Sequence, residues 1–354
     1  MDLQPFQEAV RSHNHLAARG GGSKTALSSF PEGVTILELN GLTGMIEYQP
    51  QEYTFTAYAG TSVSDVEKML ADNGQYLPFD PPLADRGASL GGTVAAGLSG
   101  PGRYRYGGIR DFLVGVMFLD GEGRLVRSGG KVVKNAAGFD LAKLMVGSMG
   151  MFGALMEVSF KVFPRPVSFA TLAVEYPSIE GALESLVQLS ILPLDIFALD
   201  LQPNDKSIRL LVRLGGSPDS LALRLERLRT VAGSGESILG SEEEDLWRSF
   251  QKFTWVPDGM DLVKIPVTPH QVIELDAMLG KYGALRWYSV GANLAWVAWP
   301  KSAEEVDRLL ISLGLTGLRV LGEQGQVRLG VGRGETFAKR IKNALDPSYR
   351  WVEV

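Results

Sequence analysis

The chain has 354 residues, which exceeds what one hydrophobic core usually organises and predicts two or three domains. Its 35 basic and 40 acidic residues give a formal net charge of -5, so no broad positive field is available for nucleic acid. The absence of cysteine excludes disulfides, a thiol nucleophile and a thiolate-bound iron–sulfur cluster within this chain. His13, His15 and His270 are too dispersed for a metal triad, and we predict no metal site.

The N-terminal stretch lacks the basic and apolar regions of a secretory signal. No apolar run reaches the roughly 18 residues that a membrane span needs. We therefore expect a soluble, cytoplasmic protein with no membrane span of its own, in which any association with the inner membrane is made through partners.

The first half alternates strands, helices and loops in an α+β pattern. In chain order, the periodicity predicts a helix over 2–13, strands over 35–40 and 53–59, a helix after Ser62, a hairpin of strands 112–119 and 124–127, and a strand over 154–162.

Glycine makes up 42 of the 354 residues, about 12%, and is concentrated in the first 155 residues. Three loops carry most of the glycine of those 155 residues, namely Arg19–Ser23, Arg86–Asp111 and Gly129–Gly153. Glycine within regular structure costs about 0.5–1 kcal/mol relative to alanine, so this density needs a reason. Two reasons stay open, which are close approach of a ligand such as a pyrophosphate to backbone N–H groups and tight packing of small residues.

Two common phosphate-binding motifs are absent from these loops. Ser23 stands where a P-loop needs glycine before its lysine, and Ala18 stands at the earlier glycine position. The run from Gly20 also reaches Thr25 where a Rossmann fingerprint needs its third glycine. The sequence therefore predicts neither a P-loop NTPase nor a Rossmann fold.

The second half follows a proline pair at Pro164 and Pro166 and contains two similar units of the pattern βαββα, each like half of a ferredoxin-like fold. The first unit is predicted as strand 169–176, helix 178–190, strands 196–202 and 207–214, and helix 218–231. The second is predicted as strand 261–267, helix 268–280, strands 284–290 and 293–299, helix 301–313 and strand 317–322.

Between these units, 233–258 is predicted to be a linker in which the acidic run 242–245 starts a solvated helix. Trp287, Trp296 and Trp299 fall on predicted strands, where aromatic residues usually pack within the sheet. Stacking on a ligand is the alternative for these three side chains.

Four stretches, in this order and spacing, resemble the FAD-binding domain of the vanillyl-alcohol-oxidase type, also called the PCMH type. They are Arg19–Ser23, Leu90–Thr93, Gly108–Asp111 and Lys134–Asp140. Within that superfamily, the runs LGGTVAAGLSGP, GGIRDFLVG and GGKVVKNAAGFDLAKLMVGSMGMFGAL resemble the family of FAD-binding subunits of bacterial glycolate oxidases. The similarity is strong over residues 15–166.

This resemblance implies a fold in two parts. A PCMH-type FAD-binding domain of two α+β subdomains would occupy 1–166, and a cap would occupy 167–354. The cap would contain the two ferredoxin-like βαββα units, at about 167–232 and 259–323, and a C-terminal helix.

The resemblance also assigns residues to FAD. They are Arg19, Gly20, Gly21, Gly22, Ser23, Leu90, Gly91, Gly92, Thr93, Gly97, Ser99, Gly100, Lys134, Asn135 and Gly153. Backbone N–H groups of 20–23 and 91–93 would bind the pyrophosphate, while Lys134 and Asn135 would lie near the flavin or its ribityl chain.

The implied function is that of an FAD-bearing subunit of a multi-subunit 2-hydroxy-acid oxidase acting on glycolate. Its partners would be a second flavin subunit and an iron–sulfur subunit that accepts the electrons. Relatives that oxidise such acids directly carry a cap rich in His and acidic residues, whereas the second half here has only His270, and no catalytic residue is assigned. Two alternatives stay open: a self-sufficient noncovalent flavin oxidoreductase for another 2-hydroxy acid, and a non-catalytic scaffold subunit with a decayed flavin site.

The resemblance further implies noncovalent FAD. Where this superfamily links flavin covalently, a His commonly stands at the position of Gly22 or a Cys lies in the later loop, and this chain has neither. We expect acid precipitation to release all of the flavin into the supernatant, as measured by its visible absorbance. Yellow colour that stays with the washed pellet would contradict this prediction.

Overall fold

The computed structural model describes residues 1–130, 140–204 and 206–353. The chain divides into two compact units. The first unit comprises Met1–Ser99, Gly108–Arg165 and Gly332–Val354, and the second comprises Gly100–Gly107 and Pro166–Val331.

Both halves of the chain mix helices and strands. Up to Pro164 the elements are α1 (Gln4–Ser12), β1 (Leu16–Arg19), β2 (Thr35–Glu38), β3 (Met45–Gln49), β4 (Thr54–Tyr58), α2 (Val63–Ala71), β5 (Gln75–Tyr76), α3 (Leu90–Ala96), α4 (Arg103–Tyr106), α5 (Ile109–Phe112), β6 (Leu113–Leu119), β7 (Leu125–Gly129), α6 (Leu141–Met145), β8 (Ala154–Lys161) and β9 (Phe163–Pro164).

From Ser168 onward the elements are β10 (Ser168–Tyr176), α7 (Ile179–Ser190), β11 (Ile196–Pro203), β12 (Ile208–Gly216), α8 (Pro218–Ala232), β13 (Glu236–Leu239), α9 (Gly240–Lys252), β14 (Asp261–Pro266), α10 (Pro269–Lys281), β15 (Leu285–Ser289), β16 (Leu294–Trp299), α11 (Ala303–Ser312), β17 (Thr316–Leu321), β18 (Arg328–Gly330) and α12 (Glu335–Leu345). The predicted α+β class is confirmed. No helix in the described parts of the chain is long and apolar enough to cross a membrane.

The first unit is built on a five-stranded antiparallel sheet in the order β3-β4-β8-β6-β7. Strands β1 and β2 form a separate parallel pair, so that Arg19, the last residue of β1, lies opposite Glu38. Sequence periodicity missed β1, because its four residues lead directly into the glycine loop. This pair places the Arg19–Ser23 loop at the end of a strand.

The C-terminal segment belongs to the first unit, although the sequence assigned its helix to the second half. The buried Lys342 ammonium of α12 connects the segment to that unit: it lies 2.8 Å from the Asp346 carboxylate and donates to the carbonyl oxygen of Met151 at 2.7 Å. The chain then runs beside β1, where the N–H of Leu16 donates to the carbonyl oxygen of Arg350 at 2.7 Å. Chain position therefore does not decide which unit a segment joins.

The second unit contains a nine-stranded sheet in which all neighbours are antiparallel, in the order β13-β10-β12-β11-β15-β16-β14-β17-β18. Its first four strands have the ferredoxin-like order 4-1-3-2, and the next four repeat that order in reverse. The two repeats meet at β11 and β15, where Leu201 pairs with Tyr288. The predicted pair of ferredoxin-like units is thus confirmed, and they form one continuous sheet.

The predicted linker is wrong. Its first part is β13, which pairs with β10 and completes the first ferredoxin-like unit, and α9 follows directly. Glu243, Trp247 and Phe250 share one buried face of α9, at positions four and three residues apart. Exposed acidic neighbours obscured this pattern in the sequence.

Glu243 is also not solvated, because it is only 1% exposed and forms a bidentate ion pair. Its two carboxylate oxygens accept from the Arg213 guanidinium at 2.8 and 3.1 Å, and one of them accepts from the Thr171 hydroxyl at 3.0 Å. The predicted sheet packing of Trp287, Trp296 and Trp299 is confirmed, since all three are at most 1% exposed on β15 and β16.

We expect Arg213→Met to destabilise the second unit by about 3–5 kcal/mol, because it leaves the Glu243 carboxylate buried without a counter-charge. Arg248→Met is the matched control, since Arg248 is exposed and lies 3.7 Å from Glu244 on the surface of α9; we expect about 0.5 kcal/mol or less. Five of the six tryptophans lie in the second unit, so denaturation followed by tryptophan fluorescence reports on it. Equal effects of the two substitutions would contradict the assigned role of the ion pair.

Candidate functional site

The first unit contains an open cavity of about 780 Å³, a volume that includes the solvent at its mouth. Most of its lining comes from three stretches: β1 with the loop after it, α3, and the loop between α6 and β8. Eight of the predicted site residues are in the lining, namely Arg19, Gly20, Gly21, Gly22, Ser23, Gly91, Gly92 and Gly153.

The other predicted residues that the structure describes do not line this cavity. Leu90, Thr93 and Ser99 are buried, and the Ser99 hydroxyl accepts a hydrogen bond from the N–H of Ile109 at 2.9 Å. Gly97 ends α3 in the left-handed conformation at φ +61°, and Gly100 belongs to the second unit. Lys134 and Asn135 lie outside the described residues.

The loop after β1 presents a run of unused donors. Within the described parts of the chain, no acceptor meets the backbone N–H groups of the five successive residues 20–24. The preceding carbonyl oxygen, of Arg19, is used, because it accepts from the N–H of Leu39 at 2.8 Å. Successive backbone N–H groups without acceptors can form an anion-binding concavity, so this loop is suited to a ligand rich in oxygen acceptors.

The start of α3 differs from our expectation that 91–93 donate to a ligand. The N–H of Leu90 donates to the Thr61 carbonyl oxygen at 2.9 Å and that of Gly91 to the Ala59 carbonyl oxygen at 2.7 Å. Ser89 caps the helix, since its hydroxyl accepts from the N–H of Gly92 at 3.2 Å and its carbonyl oxygen from that of Thr93. These four donors already have acceptors inside the protein.

The glycines of the two loops serve two different needs. A Cβ on Gly21 would lie 1.7 Å from the carbonyl oxygen of Gly87, and one on Gly91 would lie 2.8 Å from the Cβ of Ala59. Those positions are glycine because the protein packs there. A Cβ on Gly22, at φ +65°, would meet nothing within 4 Å, and a Cβ on Gly92 would meet only the Ser89 hydroxyl, at 3.0 Å.

Two polar side chains of the cavity were not found from the sequence. Lys24 is 4% exposed, its ammonium donates to the Ser23 hydroxyl at 3.0 Å, and burial lowers its pKa to about 8. Ser148 is 3% exposed, and its hydroxyl oxygen has no hydrogen-bond partner in the described structure. The next residue, Met149, also lines the cavity and adopts a left-handed φ of +52°, which is uncommon for a side chain of this size.

The only available signal for Lys24 was its place directly after the glycine loop. Because the loop does not have the P-loop spacing, the sequence did not single out this lysine. A lysine outside that motif is ordinarily a surface residue. Ser148 carried no signal, since nothing local distinguishes a buried serine from an exposed one.

The arrangement fits a phosphate-bearing cofactor. Unused N–H donors and a buried ammonium surround the cavity, and none of its described lining residues is Asp or Glu. The described residues also contain no cluster of three or more His, Asp or Glu that could hold a metal ion. The cavity is therefore suited to an anion and not to a cation.

The sequence model of a family described as "FAD binding domain" matches residues 4–129. The fold agrees with this match, because two crystal forms of alkyldihydroxyacetonephosphate synthase superpose with TM-scores of 0.70 and 0.67 at 14% and 16% identity. Each comparison covers 98% of this chain, and 73% or 72% of the synthase. Fold and cavity thus define an FAD-binding protein of the PCMH type.

A more specific similarity comes from sequence. The chain is 34% identical over 286 residues to glycolate oxidase subunit GlcE of Escherichia coli K12, covering 80% of this chain and 79% of that subunit. It therefore belongs to the GlcE family of glycolate oxidase subunits, which confirms the family resemblance, and it is an FAD-dependent oxidoreductase.

More distant similarity extends to other flavin enzymes. Glycolate oxidase subunit GlcD of Bacillus subtilis is 25% identical over 240 residues, which cover 63% of this chain and 51% of that subunit. The D-lactate dehydrogenase of Archaeoglobus fulgidus is 27% identical over 174 residues, covering 49% of this chain and 38% of that enzyme. The chain therefore spans about half or less of these two relatives.

Neighbouring glycines of α3 provide a matched test of the cavity. We expect Gly92→Val to fold but to lose most of its FAD, because the branched side chain would take up space in the cavity. Gly91→Ala should instead destabilise the protein by about 1–3 kcal/mol, because its Cβ would be forced against Ala59. Flavin content and thermal unfolding measure the two effects. Gly92→Val protein with the wild-type flavin content would show that FAD binds elsewhere.

Proposed function

We propose that this chain is the FAD-bearing subunit of a multi-subunit oxidase of small 2-hydroxy acids, with glycolate as substrate and an iron–sulfur protein as electron acceptor. The observation that carries the proposal is the anion-binding cavity of the first unit, with its unused N–H groups at 20–24, in a chain 34% identical to GlcE. In this proposal FAD is noncovalent, the first unit carries it, and the second unit corresponds to the family's cap.

The proposed electron transfer requires a second protein, which holds the iron–sulfur cluster. Oxidation of glycolate to glyoxylate removes two electrons and two protons, and FAD supplies an acceptor for the electron pair and a proton. An iron–sulfur cluster takes up those electrons one at a time. The chain has no cysteine to hold such a cluster, so the cluster belongs to a partner in this proposal.

The substrate also needs a base and a cation, and we assign neither to this chain. Oxidation requires a base for the hydroxyl proton and a cation for the carboxylate, both close to the flavin. In the second unit the single histidine, His270, is exposed at the start of α10. We therefore assign the oxidation of glycolate to the second flavin subunit of the complex, and GlcD is the candidate relative for that role.

The test uses the purified chain loaded with FAD under anaerobic conditions. We expect glycolate, or D-lactate in a parallel sample, to bleach its flavin absorbance little, whereas dithionite bleaches it fully and shows that the flavin is redox-competent. Addition of the second flavin subunit and the iron–sulfur subunit should restore glycolate turnover. Fast, stoichiometric bleaching of the isolated chain by either acid would instead support a self-sufficient oxidoreductase, and a chain that takes up no FAD would support the scaffold.

A further inference from the structure

Lys24 is a buried cation without a counter-charge among the described residues. The cavity lining contains one other charged residue, Arg19, and its guanidinium is paired with Glu38 of the neighbouring strand. Among the described residues, the ammonium of Lys24 donates only to the Ser23 hydroxyl, at 3.0 Å. A lysine is almost never buried to this extent unless it is paired, and no described lining residue supplies the anion, which points to a ligand.

The surroundings of Lys24 support this interpretation. The lowering of its pKa to about 8 is caused by burial, and no charged side chain contributes to it. Most of the group is still protonated at neutral pH, so a positive charge is present in the cavity. The unused N–H groups of 20–24 and the unpartnered Ser148 hydroxyl line the same cavity, so the charge lies among donors that an anion could share.

We propose that the ammonium of Lys24 is the counter-charge for the diphosphate of bound FAD, and is the side chain that sets the affinity for the cofactor. This inference rests on the proposed function, because it takes FAD to be the occupant of the cavity. Backbone N–H groups and an ammonium both form charge-assisted hydrogen bonds to phosphate, which are about twice as strong as neutral ones. The ammonium also places a full positive charge against the diphosphate, which the backbone donors do not.

A trade-off between stability and binding follows. Burial of an unpaired ammonium destabilises the flavin-free protein, and the diphosphate offsets this on binding. Lys24→Met keeps the length of the side chain and removes the charge. We expect its flavin-free form to be at least as thermostable as the wild type, and its dissociation constant for FAD to rise about ten- to hundredfold. Lys68→Met on α2, where the side chain is 79% exposed, is the control and should change neither property.

The wild-type protein provides a test that needs no substitution. Protonated Lys24 binds the diphosphate, and pairing raises its pKa in the complex above the value of about 8 in the free protein. The affinity for FAD should therefore fall as the pH rises above 8, by at most tenfold per pH unit. Arg19, paired with Glu38, keeps its charge over this range. Lys24→Met should lack this fall.

Both tests titrate FAD into flavin-free protein and follow flavin fluorescence between pH 7 and 9.5. Wild-type affinity for FAD by Lys24→Met would overturn the inference and leave the proposed function intact. A wild-type affinity for FAD that does not change with pH would also overturn the inference. So would a Lys24→Met variant whose flavin-free form is less stable than the wild type, if that loss of stability accounts for its weak binding. Failure of the wild type to bind FAD at all would instead refute the proposed function.

Discussion

The cavity of the first unit depends on two close contacts that leave no room for a Cβ. The loop after β1 contacts the segment before α3 at Gly21 and Gly87, and α3 itself contacts the end of β4 at Gly91 and Ala59. The N–H groups at the start of α3 have acceptors within the protein, whereas those of 20–24 have none among the described residues. One loop therefore provides the donors, and the other holds that loop in position.

Buried charged side chains in this protein differ in whether an opposite charge of the protein lies beside them, and this difference separates structural from functional groups. Arg213 with Glu243, and Lys342 with Asp346, are buried pairs in which each charge meets its opposite within 3 Å. Such pairs fix the position of α9 and of the C-terminal segment, and they are complete without a ligand. Lys24 alone among the residues that line the cavity carries a buried charge that the described protein does not balance. An unbalanced charge needs a ligand, whereas a balanced pair needs none.

The second unit shows how a duplicated fold becomes a single sheet. Each ferredoxin-like repeat has an open edge at its second strand, β11 in one and β15 in the other. Open edges expose unpaired N–H and C=O groups, and pairing the two edges with each other removes both. The two repeats share one hydrophobic core on the helical side, formed with α7, α8, α10 and α11. The same duplication explains why the pattern of predicted elements repeats along the sequence.

The sequence by itself determined the α+β class, the duplicated units, the glycine loops and, through its resemblance to a family, FAD. Those features depend on periodicity and on residues adjacent in the chain. Only the tertiary structure decided that Gly21 and Gly91 serve packing while Gly22 faces open space, because these assignments depend on residues distant in sequence. It also decided that Glu243 is paired and that Lys24 is buried. Burial and the nearest opposite charge are properties of the folded chain, and no local pattern of residues encodes them.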